Sequence, residues 1–269
     1  MNTNVLLMSL VPDEGLVLIL GGIGSGKSAL AYAIAEDKYH LTGKPVFVFG
    51  FPSEKAHLLP DFIEPIYDLD LPEKSIIILD EAYIQFHSRS SSSKVNRFMD
   101  MFTGLVRQKE ILALFITQTA RKADIGIVSS AQLVLIKEPT MSQIKLDRSS
   151  LREILKDAFH EFGKVEDPHR CTFAMGGRFY GMIRESNKLP SFWSDELSKA
   201  WKGVSLEEAL GQKRSPGDSE ERPFGQCKRC GKIAYIDENG ICSYCRGVEK
   251  RRQTIFNKKL AYLTKRRDR

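Results

Sequence analysis

The chain has 269 residues, of which 42% are hydrophobic, and its formal net charge is +6. This length suits one good-sized domain with a small appendage, and the composition is that of an ordinary globular protein. The sequence contains no uncharged apolar run of about 18 residues, which excludes a predicted membrane-spanning helix. It also lacks a basic-then-apolar start of the signal-peptide type, so we predict a cytoplasmic protein.

The first predicted element is the apolar strand Leu16–Leu20, which is followed directly by "GGIGSGKSAL". Gly21, four further residues and then Gly26-Lys27-Ser28 match the phosphate-binding pattern GxxxxGK[ST]. Glycines let such a loop bring its backbone N–H groups close to phosphate oxygens, and the following helix points its positive dipole end at the same anion. In this interpretation Lys27 reaches the β- and γ-phosphates of ATP and Ser28 binds Mg²⁺. The candidate nucleotide-binding residues are Gly21, Gly22, Ile23, Gly24, Ser25, Gly26, Lys27, Ser28 and Ala29.

Four more apolar runs in the first 140 residues predict strands, and helical patterns separate several of them. Most of these runs are apolar without alternation, as expected for parallel strands covered on both faces. The alternation of strands and helices predicts an α/β fold with a parallel sheet and helices on both faces, the P-loop NTPase architecture. The runs are Pro45–Phe49, Ser75–Leu79, Leu112–Thr117 and Leu133–Ile136, and the helices include Ser28–Tyr39 and roughly 94–107.

Two polar features follow these strands. "SIIILDEA" places Asp80 and Glu81 at the end of a buried strand, where Asp80 could hold the Mg²⁺ shell and Glu81 could orient and deprotonate an attacking water. Gln118 follows the strand "ILALFIT", where its amide could bind that water or sense the γ-phosphate, or simply end the strand.

Beyond residue 140 the pattern predicts an amphipathic helix over Ser149–Phe162, a β-hairpin within Cys171–Ile183 and a helix capped by Ser194. Cys171 is interpreted as a buried thiol. Polar, Pro/Gly/Ser-rich composition predicts a linker near residue 203. The predicted organisation is a P-loop ATPase domain over 1–202, a linker over 203–224, a zinc ribbon over 225–247 and a basic tail over 248–269.

Four of the five cysteines lie within 19 residues as two CxxC pairs separated by eleven residues. Two such pairs can surround one Zn²⁺ with four thiolates, and the turn Asn239-Gly240 lies between them. About 20 residues cannot bury a sufficient core, so the metal would supply the stability of this zinc ribbon. The predicted ligands are Cys227, Cys230, Cys242 and Cys245, and the pattern does not decide whether the ribbon contacts DNA or protein.

The C-terminal tail is strongly basic. Residues 246–269 contain ten Lys and Arg but only two acidic residues, so the other 245 residues carry a net charge of −2. Apolar residues at helical spacing accompany these charges, among them Ile255, Phe256, Leu260 and Leu263. The tail could bind nucleic acid, lie on an anionic membrane, or pack on the ribbon or a neighbouring subunit.

The strand Pro45–Phe49 lies between the P-loop strand and the Asp80 strand. An inserted strand, Glu81 beside Asp80 and the polar Gln118 are typical of the additional-strand, catalytic-glutamate branch of P-loop ATPases. Within it, the P-loop, "IIILDEA", an arginine and "LFITQTARKADIGIVSSAQLVLIKE" resemble the FtsK/HerA superfamily over roughly residues 12–140. That superfamily consists of DNA pumps: conjugation and segregation translocases, viral packaging ATPases and Zot-like phage proteins.

The resemblance implies an ATPase that translocates or packages double-stranded DNA, acts as a ring of five or six subunits, and meets capsid or membrane partner proteins. It places a trans-acting arginine at Arg107, with Arg97 and Arg89 as rivals. A viral member would work in the host cytoplasm. Two other classes remain open from the residues alone: a P-loop kinase of small molecules, and a nucleotide-switched DNA-binding or assembly factor with little turnover.

Overall fold

In the computed structural model the described residues are 1–67, 71–80, 102–118, 125–147 and 149–200, together with 224–226, 228–229, 233–235 and 239–241. The chain divides into two compact units, Met1–Gln212 and Lys213–Arg269. Glu81, Arg89 and Arg97 lie outside the described residues of the first unit.

An eight-stranded sheet, counted over the described residues, organises the first unit in the order β3-β2-β4-β5-β1-β6-β7-β8. The first six strands are parallel, and β7 and β8 add an antiparallel hairpin beside β6. The predicted parallel α/β sheet of a P-loop NTPase is therefore confirmed, with an antiparallel extension at one edge. The strands are β1 (Gly15–Leu20), β2 (Val46–Phe49), β3 (Ile63–Ile66), β4 (Ile76–Asp80), β5 (Leu112–Ile116), β6 (Ala131–Ile136), β7 (Thr172–Gly176) and β8 (Phe179–Ile183).

The strand that separates β1 from β4 in space is β5. Leu112 pairs with Gly15 of β1 on one side and with Ile76 of β4 on the other. The strand predicted over Pro45–Phe49 lies between them only along the chain, because β2 pairs with β4 and β3. Its assignment as the inserted strand was wrong, since crossover connections between parallel strands place each strand at a position that sequence order does not fix.

Helices cover both faces of the sheet. Leu30 and Ile34 of the P-loop helix α2 (Lys27–Thr42) pack with Val17 and Ile19 on one face. The helical residues 102–108 and the helix α5 (Ser149–Phe162) cover the other face, where their apolar side chains join Leu16, Leu18 and Leu20. Besides 102–108, the helices are α1 (Val5–Leu10), α2 (Lys27–Thr42), α3 (Ile125–Ser130), α4 (Met141–Leu146), α5 (Ser149–Phe162) and α6 (Asp195–Ser198), with 3₁₀ turns at Ser53–Leu58 and Pro168–Arg170.

In the second unit the described residues form one antiparallel pair, β9 (Phe224–Gln226) with β10 (Ile233–Tyr235). Gly240 takes a φ of 75°, and its carbonyl accepts from the Lys228 amide at 2.9 Å. The four predicted zinc ligands and the basic tail lie outside the described residues. None of the helices seen in the described part of the chain is long and apolar enough to cross a membrane.

The N-terminal residues bind two buried carboxylates of α2. Asp37, which is 2% exposed, accepts from the amide of Thr3 at 2.7 Å and from its hydroxyl at 2.5 Å. The Asn2 amide donates to both Asp37 oxygens, and the Asn2 side chain donates to Glu36 at 2.6 Å. The same segment pairs with residues 186–188 through Thr3 and Asn187. The N-terminal arm, residues 1–4, therefore fastens the P-loop helix to the segment 186–188 that follows the hairpin.

We expect Asp37→Ala to lower the free energy of unfolding by about 2–4 kcal/mol, because it leaves buried N–H and O–H donors without an acceptor. The measurement is urea unfolding followed by circular dichroism. Asp61→Ala is the matched control, since Asp61 is an exposed carboxylate of the same unit and its loss should change stability by less than about 0.5 kcal/mol. Equal effects of the two changes would contradict the role given to the N-terminal arm.

Candidate nucleotide-binding site

The loop between β1 and α2 lies at the carboxyl edge of the sheet. Its backbone depends on glycines with positive φ, which are Gly21 at 149°, Gly24 at 75° and Gly26 at 91°. Gly26 precedes the first residue of α2, and no described side chain caps this helix end. Since the first N–H groups of a helix have no partner within it, the end of α2 is suited to bind an anion.

Lys27 folds back over the loop, and its Nζ donates to the Gly22 carbonyl at 2.6 Å. Its side chain is buried, whereas Ser28 is half-buried and Ile23 is exposed at the loop tip. The Ser25 hydroxyl is buried and has no hydrogen-bond partner among the described residues. The loop therefore encloses an ammonium group and an unsatisfied hydroxyl, which suits a phosphate ligand.

Residues 137–143 form a wall beside the loop. The Gly22 amide donates to the Glu138 carbonyl at 3.0 Å, and a Cβ at Gly22 would lie 3.0 Å from Cγ2 of Thr140. Thr140 and Gln143 form a capping box at the start of α4. The Gln143 side chain also donates to the Gln118 carbonyl, so this buried amide connects the loop wall to the end of β5.

Asp80 and Gln118 lie at the same edge of the sheet. Asp80 ends β4 opposite Ile116, and Gln118 is two residues beyond the end of β5. Tyr32, one helical turn after Ser28, is buried, and burial together with the negative charge of Asp80 raises the pKa of its hydroxyl well above the ordinary value. The structure brings Asp80, Gln118 and the loop to one edge, where Asp80 could share a cation with Ser28.

Lys137 is a buried ammonium group that the sequence analysis missed. Its Nζ donates to the carbonyls of His169 at 2.6 Å and Cys171 at 2.8 Å, and to Oδ1 of Asn187 at 3.2 Å. Burial lowers the pKa of Lys137 to about 8. The available signal was a lysine that directly follows four apolar strand residues in "LVLIKE". At the end of a central strand, beneath a loop, such a side chain is shielded from solvent.

Arg107 lies at the opposite edge of the sheet. It directly precedes Gln108 at the end of the helical residues 102–108, five residues before Leu112, which pairs with the first residue of β1. Its exposed side chain lines a cleft of about 420 Å³ with Glu14, Ser130 and Gln132 among its neighbours. Because the phosphate loop follows the last residue of β1, Arg107 does not reach the loop of its own subunit.

Residues 17–138 match the family model of the ATPase family associated with various cellular activities (AAA). This segment is an AAA-type P-loop ATPase domain. No curated protein matches the chain in sequence.

Among solved structures, the chain is similar to B204, the DNA-packaging ATPase of Sulfolobus turreted icosahedral virus, with 15% identity, 67% of this chain and 99% of that one covered, and a TM-score of 0.45. It is also similar to B204 of Sulfolobus turreted icosahedral virus 2 in complex with AMPPCP, with 13% identity, 66% of this chain and 100% of that one covered, and a TM-score of 0.48. The similarity to the pCW3 conjugation coupling protein TcpA with ATPγS has 11% identity, covers 75% of this chain and 66% of that one, and has a TM-score of 0.48.

The groups of the phosphate loop suit a nucleoside triphosphate with a divalent cation. A Cβ at Gly21 would lie 2.7 Å from the Ser25 hydroxyl and 2.9 Å from the Lys137 carbonyl, so only glycine allows this close approach of the loop to the Lys137 backbone. The residues fit ATP through the loop N–H groups and Lys27, and they fit Mg²⁺ through the oxygens of Ser28 and Asp80. Among the residues that the structure describes, no group of three or more His, Cys, Asp or Glu could hold a metal ion. The zinc site stays a prediction on residues outside them.

We expect Gly21→Ala to weaken ATP binding at least about tenfold, because the new methyl group meets the Lys137 backbone and the loop must shift. Gly43→Ala is the matched control, since Gly43 ends the same helix with a φ of 69° and nothing lies within 4 Å of a Cβ there. Calorimetric titration with a non-hydrolysable ATP analogue measures the affinities of the two variants. An unchanged affinity for Gly21→Ala would show that the loop conformation described here does not bind the phosphates.

Proposed function

We propose that the protein is an ATP-driven motor that translocates or packages double-stranded DNA. The observation that carries this proposal is the division of charge along the chain: a P-loop ATPase domain lies in a part with a net charge of −2, and 24 C-terminal residues carry +8. An ATPase that acted only on small molecules would not need so concentrated a cationic segment.

For ATP hydrolysis, we assign one role to each of the following groups. Lys27 would bind the β- and γ-phosphates, and Ser28 and Asp80 would hold the Mg²⁺ that neutralises phosphate charge. Glu81, next to Asp80, would orient and deprotonate the attacking water, and Gln118 would contact that water or the γ-phosphate. The arrangement of Asp80 and Gln118 at the edge that carries the phosphate loop supports these roles.

We further propose a ring of five or six subunits in which Arg107 acts on the neighbour's ATP. Its position at the sheet edge opposite its own phosphate loop supports action in trans, because a group that serves its own site would lie at the carboxyl edge. An arginine that meets transition-state charge in this way contributes about 10³–10⁵ in rate.

The C-terminal segment is proposed to hold the DNA. Its Lys and Arg side chains would contact phosphates and release counterions, as sequence-independent DNA binding requires. Cys227, Cys230, Cys242 and Cys245 would bind one Zn²⁺ and keep the preceding ribbon folded, so that the tail starts from a fixed base. The tail is then the tether between a neutral motor and its anionic substrate.

A triplex-displacement assay tests the motor directly. The wild-type protein should remove a triplex-forming oligonucleotide from duplex DNA in the presence of Mg²⁺ and ATP. Glu81→Gln should bind ATP with nearly unchanged affinity, while hydrolysis falls by about 10²–10⁴ and displacement stops, because the water loses its base. Glu64→Gln, a conservative change on the edge strand β3, is the control and should leave the rates of ATP hydrolysis and of triplex displacement unchanged.

The other function classes give different results in the same assay. A small-molecule kinase would form a phosphorylated product without free phosphate, and a nucleotide-switched factor would bind ATP tightly with negligible turnover and no DNA stimulation. Hydrolysis that survives Glu81→Gln would overturn the assignment of the general base.

Deleting residues 225–269 should remove most of the salt-sensitive DNA affinity and leave basal ATP hydrolysis intact, because the proposed catalytic groups all precede residue 119. If about six tail charges contact phosphates, log K falls with log salt at a slope of about −5. Fluorescence anisotropy of labelled duplex DNA at several salt concentrations measures the slope. A second truncation, lacking only 248–269, separates the tail from the ribbon. Equal slopes for the full-length and truncated chains would contradict DNA binding by the tail, and liposome flotation would then test a membrane tether.

A further inference from the structure

The two sides of β1 differ in the groups that they bring to the phosphate loop. Asp80 and Gln118 follow β4 and β5, which lie on one side of β1. The water and the γ-phosphate belong on that side, where these polar groups are. The other side is formed by β6 and β7. If the triphosphate lies along the loop, the ribose and the base lie on this side.

The segment Asp167–Cys171 lies at the carboxyl edge on this second side. β7 is antiparallel to β6, and Phe173 pairs with Ile136, so the residues before β7 lie beside the residues after β6. At this point His169 approaches the loop: a Cβ at Gly26 would lie 4.0 Å from its Nδ1 and 4.0 Å from its carbonyl oxygen. Gly26 directly precedes Lys27, so His169 borders the phosphate loop itself.

The backbone of His169 is held from several directions. Its carbonyl accepts from Lys137 at 2.6 Å, and its amide donates to the Asp167 carboxylate at 3.2 Å. The next carbonyl, that of Arg170, accepts from the Ser186 amide at 2.7 Å. A residue with such fixed backbone contacts presents its side chain at a defined place beside the loop.

The imidazole itself is exposed. In the part of the chain that the structure describes, this ring makes no hydrogen bond or ion pair, although the neighbouring Arg170 pairs with Glu185 at 3.6 Å. An exposed aromatic ring on a rigid segment can stack on a nucleotide base, because every base has a flat π face.

We propose that the imidazole of His169 packs against the adenine base of ATP, and that Lys137 is the positioning residue that holds His169 there. This contact rests on the ATPase domain alone and requires no action on DNA, so the DNA motor and the base contact can fail independently. Through this contact the hairpin extension of the sheet, which lies beyond the segment matched by the AAA family model, takes part in ATP binding.

The test compares the affinities of full-length variants for a non-hydrolysable ATP analogue by calorimetric titration without DNA. His169→Ala should weaken binding about tenfold, and His169→Phe, which keeps a flat ring, should bind within about twofold of the wild type. His57→Ala is the control, because His57 is an exposed histidine near β3 at the far end of the sheet and should not change the affinity.

A second ligand separates the base from the phosphates. Inorganic tripolyphosphate has neither ribose nor base, so its affinity should be equal in the wild type and in His169→Ala. The proposal is overturned if His169→Ala binds the ATP analogue as tightly as the wild type, if His169→Phe binds as weakly as His169→Ala, or if tripolyphosphate loses as much affinity as the analogue. Where tripolyphosphate binds too weakly to measure, the comparison of the alanine and phenylalanine variants decides.

Discussion

The buried ammonium group of Lys137 is the interaction on which the ATP site depends. A charge taken out of water is costly unless hydrogen bonds replace its hydration, and here three oxygens from two segments do so. The alkyl part of the same side chain lies under the loop, where Gly21 and Gly26 come close to it. One residue therefore joins the phosphate loop to the start of β7 and to Asn187. Removing it would leave the buried carbonyls of His169 and Cys171 without this donor, whereas Asn187 Oδ1 would still accept from the Ser186 hydroxyl, so its cost would exceed that of an ordinary core substitution.

This connection joins the start of the hairpin β7–β8 to the phosphate loop within the first unit. Asn187, which accepts from Lys137, also pairs with Thr3 of the N-terminal arm. Thr3 in turn donates to Asp37 of α2. The contacts run from Asn187 through the N-terminal arm to the P-loop helix, so residues distant along the chain join Lys137 to α2. A parallel sheet alone would hold the loop only through β1 and α2.

How much could be predicted from sequence depended on how local each signal was. The sequence predicted the phosphate loop, the strand before it, the helix after it and the carboxylate of Asp80, because each of these patterns spans only a few residues. The AAA match confirms the ATPase domain. β3 was missed because it has four residues, lies at the sheet edge and contains Pro65, which disfavours a strand assignment. The position of β5 between β1 and β4, and the place of Arg107 at the far edge, follow from the crossovers and have no local signature. Lys137 and Gln143 were missed since a charged or amide side chain after a strand is usually exposed, and only the packed structure shows that these two are buried.

The packing of α2 limits where the protein can respond to ATP. Tyr39 stacks on Phe62 with ring centroids 4.6 Å apart, and Tyr32 meets the edge of Phe192 at 5.9 Å. Together with the buried Glu36 and Asp37, these contacts fix α2 along its whole length. Because packed elements do not deform gradually, a change between ATP-bound and ADP-bound states is not expected in this helix. In the proposed mechanism Asp80, through Mg²⁺, and Gln118 act at the γ-phosphate, and the backbone carbonyl of Gln118 accepts from the buried side chain of Gln143. In the proposed mechanism, loss of the γ-phosphate would therefore be sensed at the ends of β4 and β5, while the P-loop, α2 and the hairpin serve as the fixed frame.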